Sequence, residues 1–168
     1  MPAHLEIAAD KLRLNPFAAI GKDWMLICAG KEGKTNAMTA SWGGLGVMWG
    51  RNVAFVVIRP QRYTKEFVDG SDAFSLNFFA DTYREKLNYF GAVSGRDEDK
   101  IGKTGMTVNT AEAAPYFEES HTAILCKKLF AQPYSPDAFI APDVVSQWYP
   151  KKDFHTLYIA EVTKILAV

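Results

Sequence analysis

Asn36 to Gly46, NAMTASWGGLG, gathers side chains suited to holding a ligand. Asn36, Thr39 and Ser41 each offer a side-chain hydrogen bond, and Trp42 offers a broad flat face. Gly43, Gly44 and Gly46 let the backbone turn sharply and approach a neighbour closely. Such a segment suits a flat, polar-edged ligand. It also reads as a strand ending in a glycine-rich turn.

Arg59 to Lys65, RPQRYTK, is the second constellation. Between Arg51 and Lys65 every charged residue is basic. Arginine forks and the Thr64 hydroxyl at a helix start supply the charge and donors that a phosphate needs. Standing alone, the same residues read as a solvated basic turn. The third is Ser94 to Lys100, SGRDEDK. Lys100 could reach a ligand carbonyl or phosphate, or pair on the surface with Asp97, and alone the surface pair is the better reading. The fourth is His155, where a long loop enters the last strand. Such junctions often hold site residues on a rigid scaffold, although a lone histidine is more often structural. His4 and His121 receive no role.

No Ser-His-Asp, HExxH, Walker or GxGxxG pattern occurs, so a nicotinamide would not sit in the usual βαβ crevice. No carboxylate cluster suggests glycosidase chemistry. What remains is rich in donors and flat surfaces and poor in nucleophiles, which favours a cofactor that carries its own chemistry.

Composition narrows the classes further. The 168 residues predict one domain, able to bury a core without staples. Lys+Arg equals Asp+Glu at 19 each, so no net charge argues for nucleic acid or an anionic membrane. Cys28 and Cys126 lie far apart in apolar runs, which predicts buried small hydrophobes rather than a disulfide, a zinc site or a redox pair. The amino-terminal stretch has no signal-peptide pattern, and Val53 to Ile58 is too short to cross a bilayer. A cytoplasmic location is the expectation.

These residues need elements to hold them. Residues 1 to 22 read as an irregular lead-in, stopped by Pro16. Trp24 to Ala29 and Ala37 to Trp42 read as a hairpin across a glycine turn at Gly30 to Lys34. Val53 to Ile58, VAFVVI, is the clearest strand. Thr64 to Val68 reads as one helical turn capped by Thr64, and Phe74 to Ala80 as another strand. Thr82 with Glu85 forms a capping-box pattern; Tyr83, Leu87 and Phe90 then share one helical face, and Gly91 stops the helix. A short helix carrying Lys100 ends at Gly102. Thr122 to Phe130 and Thr156 to Val168 are the last strands. The long proline- and aromatic-rich connection at 131–153 is either functional or disordered, and its aromatics speak against disorder. Five or six strands with few short helices predict a mostly β fold, an antiparallel barrel with small peripheral helices.

In this order and spacing, NAMTASWGG, RPQRYT, FSLNFF, SGRDEDK and HTLYIAEV resemble the flavin reductase-like, flavoredoxin-type family of FMN-binding split barrels. The resemblance implies one split-barrel domain over residues 1–168 that binds FMN and dimerises with FMN near the interface. It implies Asn36, Met38, Thr39, Ala40, Ser41 and Trp42 as the flavin-facing strand and loop. Arg59, Arg62, Tyr63 and Thr64 become the phosphate and ribityl turn. Lys100 and His155 become flavin contacts, placed to steady negative charge on the ring. The activity implied is an oxidoreductase passing hydride from NADH or NADPH to FMN, then electrons to a free flavin, a metal complex or a partner protein. The alternatives are a non-catalytic flavin or haem carrier of the same fold and, more remotely, a nucleic-acid-binding barrel that stacks bases on Trp42 and Tyr63.

Overall fold

The computed structural model describes residues 3–168. In chain order it contains β1 (Leu5–Ile7), α1 (Pro16–Gly21), β2 (Met25–Lys31), β3 (Lys34–Ala40), β4 (Gly43–Met48), β5 (Arg51–Ile58), α2 (Tyr63–Asp69) and β6 (Ala73–Phe78). Then come α3 (Arg84–Ala92), α4 (Lys100–Thr104), β7 (Val108–Asn109), β8 (Tyr116–Phe117), β9 (Thr122–Pro133), α5 (Pro142–Trp148) and β10 (Thr156–Ala167). One antiparallel sheet runs β3-β2-β6-β9-β10-β5-β4, with β1 on the far half of β10, and β7 and β8 form a separate ribbon. The fold is therefore mostly antiparallel β with short helices, as the sequence predicts. The sheet does not close; its path ends at β3 and β4.

The run Met25–Ala29 is apolar at every position because β2 is covered on both faces. Met25, Ile27 and Ala29 face a core with Val56, Phe74, Leu76, Ile124 and Tyr158. Leu26 and Cys28 face a second cluster with Leu87, Phe90 and Phe117, which brings α3 onto the outside of the hairpin. Cys28 and Cys126 are both buried, and burial raises both thiols well above their ordinary range. They are inert core residues, as expected.

Several local expectations are corrected. The lead-in holds β1, and Pro16 opens α1 rather than stopping the chain, with Asn15 accepting from the N–H of Phe17. β3 ends at Ala40, and Gly43 begins β4, a strand the glycines hid. Those glycines serve a neighbour within the fold: a Cβ on Gly44 would enter the Phe55 ring, and Gly43 sits at φ +146°. Thr64 lies inside α2, whose N-cap is Arg62. The Thr82–Glu85 box does not form; a 3-10 turn over Asp81–Tyr83 leads into α3, which has no side-chain cap. Gly91 lies within α3, where a Cβ would stand 3.4 Å from Thr39 Cβ, so it permits packing rather than termination. Likewise Gly105, not Gly102, ends α4. The main sheet has more strands than expected, and the 131–153 connection is ordered around the end of β9 and α5.

Candidate functional site

β3 is an edge strand, so the peptide groups on its outer side have no strand partner. Lys100 takes one of them: its Nζ donates to the carbonyl of Ala37 at 2.7 Å and to that of Phe90 at 3.1 Å. By β alternation the N–H of Thr39 points to the same outer side. The Thr39 hydroxyl donates to Leu87 O and pins α3 alongside. Asn36 Nδ2 donates to Thr64 Oγ1 at 2.8 Å, joining β3 to α2. Arg62 Nη1 reaches Gly91 O at 2.8 Å, joining α2 to α3.

A cleft of about 490 Å³ lies at the Lys34–Asn36 end of this edge, lined also by Asp97, Glu98, Asp99 and Lys100; two further, adjoining clefts open along the rest of it. The larger, about 390 Å³, is lined by Met38, Thr39, Ala40, Ser41, Trp42, Val57, Arg59, Arg62, Trp148 and His155. The smaller, about 150 Å³, is lined chiefly by Asn36, Met38, Arg62, Tyr63, Thr64, Gly95 and Lys100. Met38 and Arg62 are walls of both. Every residue named for the cofactor or for catalysis lines one cleft or the other, and Trp42 and Arg62 share the larger. Lys100 and His155 do not meet; they stand in different clefts.

The electrostatics separate the basic residues. Arg59 is occupied: it pairs with Asp153 at 2.7 Å, donates to Trp148 O at 2.9 Å and lies over the Tyr149 ring. Arg96 pairs with Glu66 and stacks on Tyr63. Lys100 and Arg62 bond only to backbone carbonyls, and among the described residues neither has a carboxylate partner. Burial, then the charge of Arg62, pushes Lys100 down to about 8. Burial alone lowers Arg62. The surface pair of Lys100 with Asp97 does not form, because the ammonium is buried beneath α3 and β3.

His155 is buried and neutral at ordinary pH; desolvation and then Arg59 push it down to about 4. Its ring lies 5.0 Å from Trp42, and Trp148 meets Trp42 edge-on at 4.9 Å. Trp148, Gly95 and Val57 carried no assigned role in the sequence. Only the aromatic content of the 131–153 connection pointed toward Trp148.

The flavin reductase like domain model matches residues 17–167. Flavoredoxin from Methanosarcina acetivorans superposes with a TM-score of 0.70 at 22% identity, over 95% of this chain and 76% of that one. The FMN-binding domain of a flavin reductases-like enzyme from Shewanella baltica OS155 gives 0.70 at 19%, over 98% and 76%. Flavoredoxin of Desulfovibrio vulgaris (Miyazaki F) gives 0.66 at 21%, over 96% and 75%. No curated protein matches the chain. The structural neighbours share the fold, and the domain model spans nearly all of the sheet and both clefts: the chain belongs to the flavin reductase like domain family.

Proposed function

We propose that this protein is an FMN-dependent oxidoreductase whose cofactor occupies the two adjoining clefts. One observation carries the reading: a buried cation, Lys100, and a half-buried one, Arg62, face one small polar cleft that no carboxylate lines. An unpaired buried charge is costly, and a phosphate would offset both. Arg62, Lys100 and the free hydroxyl proton of Thr64 would hold that phosphate. Arg59, neutralised by Asp153, would instead brace the cleft wall. The larger cleft falls within the about 300–1,000 Å³ range of ligand pockets, and it offers Trp42 as a ring face and Thr39 N–H and Ser41 as donors to a polar edge. The neighbours named for FMN and flavoredoxin support the same choice.

When bound, FMN supplies the two-electron chemistry, taking hydride from NADH or NADPH for delivery to a flavin, metal complex or protein. The chain's own part is orientation and electrostatics. Lys100 and Arg62 anchor one end, the β3 edge fixes the other, and Trp42 with Trp148 narrows the access of water.

A homodimer fits this reading. β4 leaves an outer edge unpaired. Phe17, Val47 and Trp49 are exposed near it at 88%, 73% and 59%. A hollow of about 430 Å³ lined by Phe17, Leu45 and Phe55 shares Ser41 and Trp42 with the flavin cleft. A second copy seated there would help to close the site. Soluble, cytoplasmic operation is part of the proposal; among the described residues no helix is long and apolar enough to cross a membrane.

The deciding experiment is FMN titration of the purified chain, followed by anaerobic addition of NADH and NADPH. Saturable binding with bleaching of the flavin band is expected. Binding without bleaching by either reductant would leave a carrier, and no binding would overturn the reading.

A further inference from the structure

Tyr149 is 3% exposed, and its hydroxyl lies 2.7 Å from His155 Nδ1. Its ring is fixed from two sides, stacked on Phe154 at 4.7 Å and covered by the Arg59 guanidinium at 5.1 Å. Burial raises the phenol, so the hydroxyl keeps its proton. Among the described residues that proton has one acceptor, the imidazole nitrogen.

Two arrangements satisfy the contact. If Nδ1 carried the imidazole proton, it would donate to the phenol oxygen and leave a buried O–H with nothing to receive it, the costlier arrangement. If the phenol donates to Nδ1, both groups are satisfied and the single proton of a neutral imidazole resides on Nε2. Nε2 has no protein partner, and it is not among the sealed, unpartnered atoms. His155 lines the larger cleft beside Trp42 and Trp148, so that N–H has a cavity to serve.

We propose that Tyr149 is a positioning residue that fixes His155 as the Nε2–H tautomer, presenting a neutral donor to a carboxamide oxygen of the reduced nicotinamide that enters the larger cleft beside Trp42 and Trp148. The ligand half rests on the flavin reading above; the tautomer half does not. His155 thus acts as a hydrogen-bond donor and not as a cation, and its donor stays the same across neutral pH.

The test has two arms. Long-range proton–nitrogen NMR of the histidine rings in the cofactor-free chain at pH 7, with His155 assigned from His155→Gln, should show a protonated Nε2 and a bare Nδ1. Tyr149→Phe, which keeps the ring stacking, should mix the tautomers. A protonated Nδ1 in the native chain, or an unaltered pattern in Tyr149→Phe, overturns the tautomer half. In the FMN-loaded protein, His155→Ala and Tyr149→Phe should raise KM for NADH about three- to tenfold, the loss of one neutral hydrogen bond, with kcat changed less. His155→Gln, which restores a donor near Nε2, should recover most of the loss. An unchanged KM in His155→Ala overturns the ligand half, as does failure of His155→Gln to recover it. A chain that binds no FMN defeats the flavin reading, and with it the nicotinamide half, while the NMR result still decides the tautomer.

Discussion

Lys100 Nζ stands 2.7 Å from the carbonyl oxygen of Ala37, so an ammonium borne on α4 occupies the outer edge of β3. Burial and Arg62 hold that ammonium at about 8, and a phosphate beside it would draw it back up. FMN binding should then take up a proton, and affinity should fall as pH rises through 8. Calorimetric titration from pH 7 to 9.5 should show Kd rising toward tenfold per unit at the alkaline end. Lys100→Met should bind weakly and lose this slope; a flat native profile would count against the anchoring role. The stability of the cofactor-free chain moves the opposite way. Between about 8 and about 10.4, the ordinary lysine value, the unfolded chain holds a proton the folded one lacks. Stability from this group therefore rises with pH across that window.

Gly95 lies against the small cleft, and a Cβ built on it overlaps the Asn36 side-chain amide and reaches 3.1 Å from Tyr63 Cδ1. Gly95→Ala should push Asn36 away from Thr64, breaking the 2.8 Å bond that sets the cleft wall. FMN affinity should fall about tenfold, the worth of one or two hydrogen bonds. The loop is only half-buried and Gly95 has no left-handed φ, so the melting temperature should move by only a few degrees. Fluorescence titration alongside thermal melts separates the two effects.

How much of this was legible in the sequence differs by residue. VAFVVI gave β5 because β-branched residues on a core strand leave few alternatives, and Leu87 with Phe90 gave the buried face of α3. The convergence of Trp42 and Arg62 was implied by the family resemblance, not by either stretch alone. β4 was not, because Gly43 and Gly44 answer to Phe55, a residue placed opposite only once the hairpin forms. The burial of Lys100 was hidden for a related reason. A lysine in SGRDEDK reads as solvated until two carbonyls from β3 and α3 arrive to receive it. Tyr149 and His155 are close in sequence, yet their bond depends on the turn that Arg59 ties down from another strand.

That tie gives the next prediction. Asp153 is held below the usual carboxylate range, chiefly by Gln61 and also by Arg59, and Arg59 also holds the carbonyl of Trp148. Arg59→Ala should release the segment between β9 and β10. Hydrogen exchange should rise across residues 134–155 while β5 and β6 keep their protection, with little loss of global stability. Arg59→Lys should restore little, because one ammonium cannot serve both a carboxylate and a carbonyl as a fork does. Since the depressed carboxylate contributes only while ionised, the tie should hold above the ordinary aspartate range and loosen as pH falls through its lowered value. Unchanged exchange in Arg59→Ala would dismiss the brace.

The hairpin joining β4 and β5 turns at Trp49 and Gly50, with φ of 53° and 68°. A left-handed tryptophan is unusual, and at 59% exposure Trp49 has little burial in one chain to offset it. With Val47 on β4, whose outer edge is unpaired, and Phe17 nearby, this surface suits a second copy. Light scattering should give a dimer for the native chain. Val47→Asp and Trp49→Asp together should give a folded monomer, since neither side chain belongs to the core. Because Ser41 and Trp42 border both the hollow at this face and the flavin cleft, the monomer should also bind FMN more weakly. A native monomer at micromolar concentration would remove the partner from the site. A dimer that survives both substitutions would place the interface elsewhere.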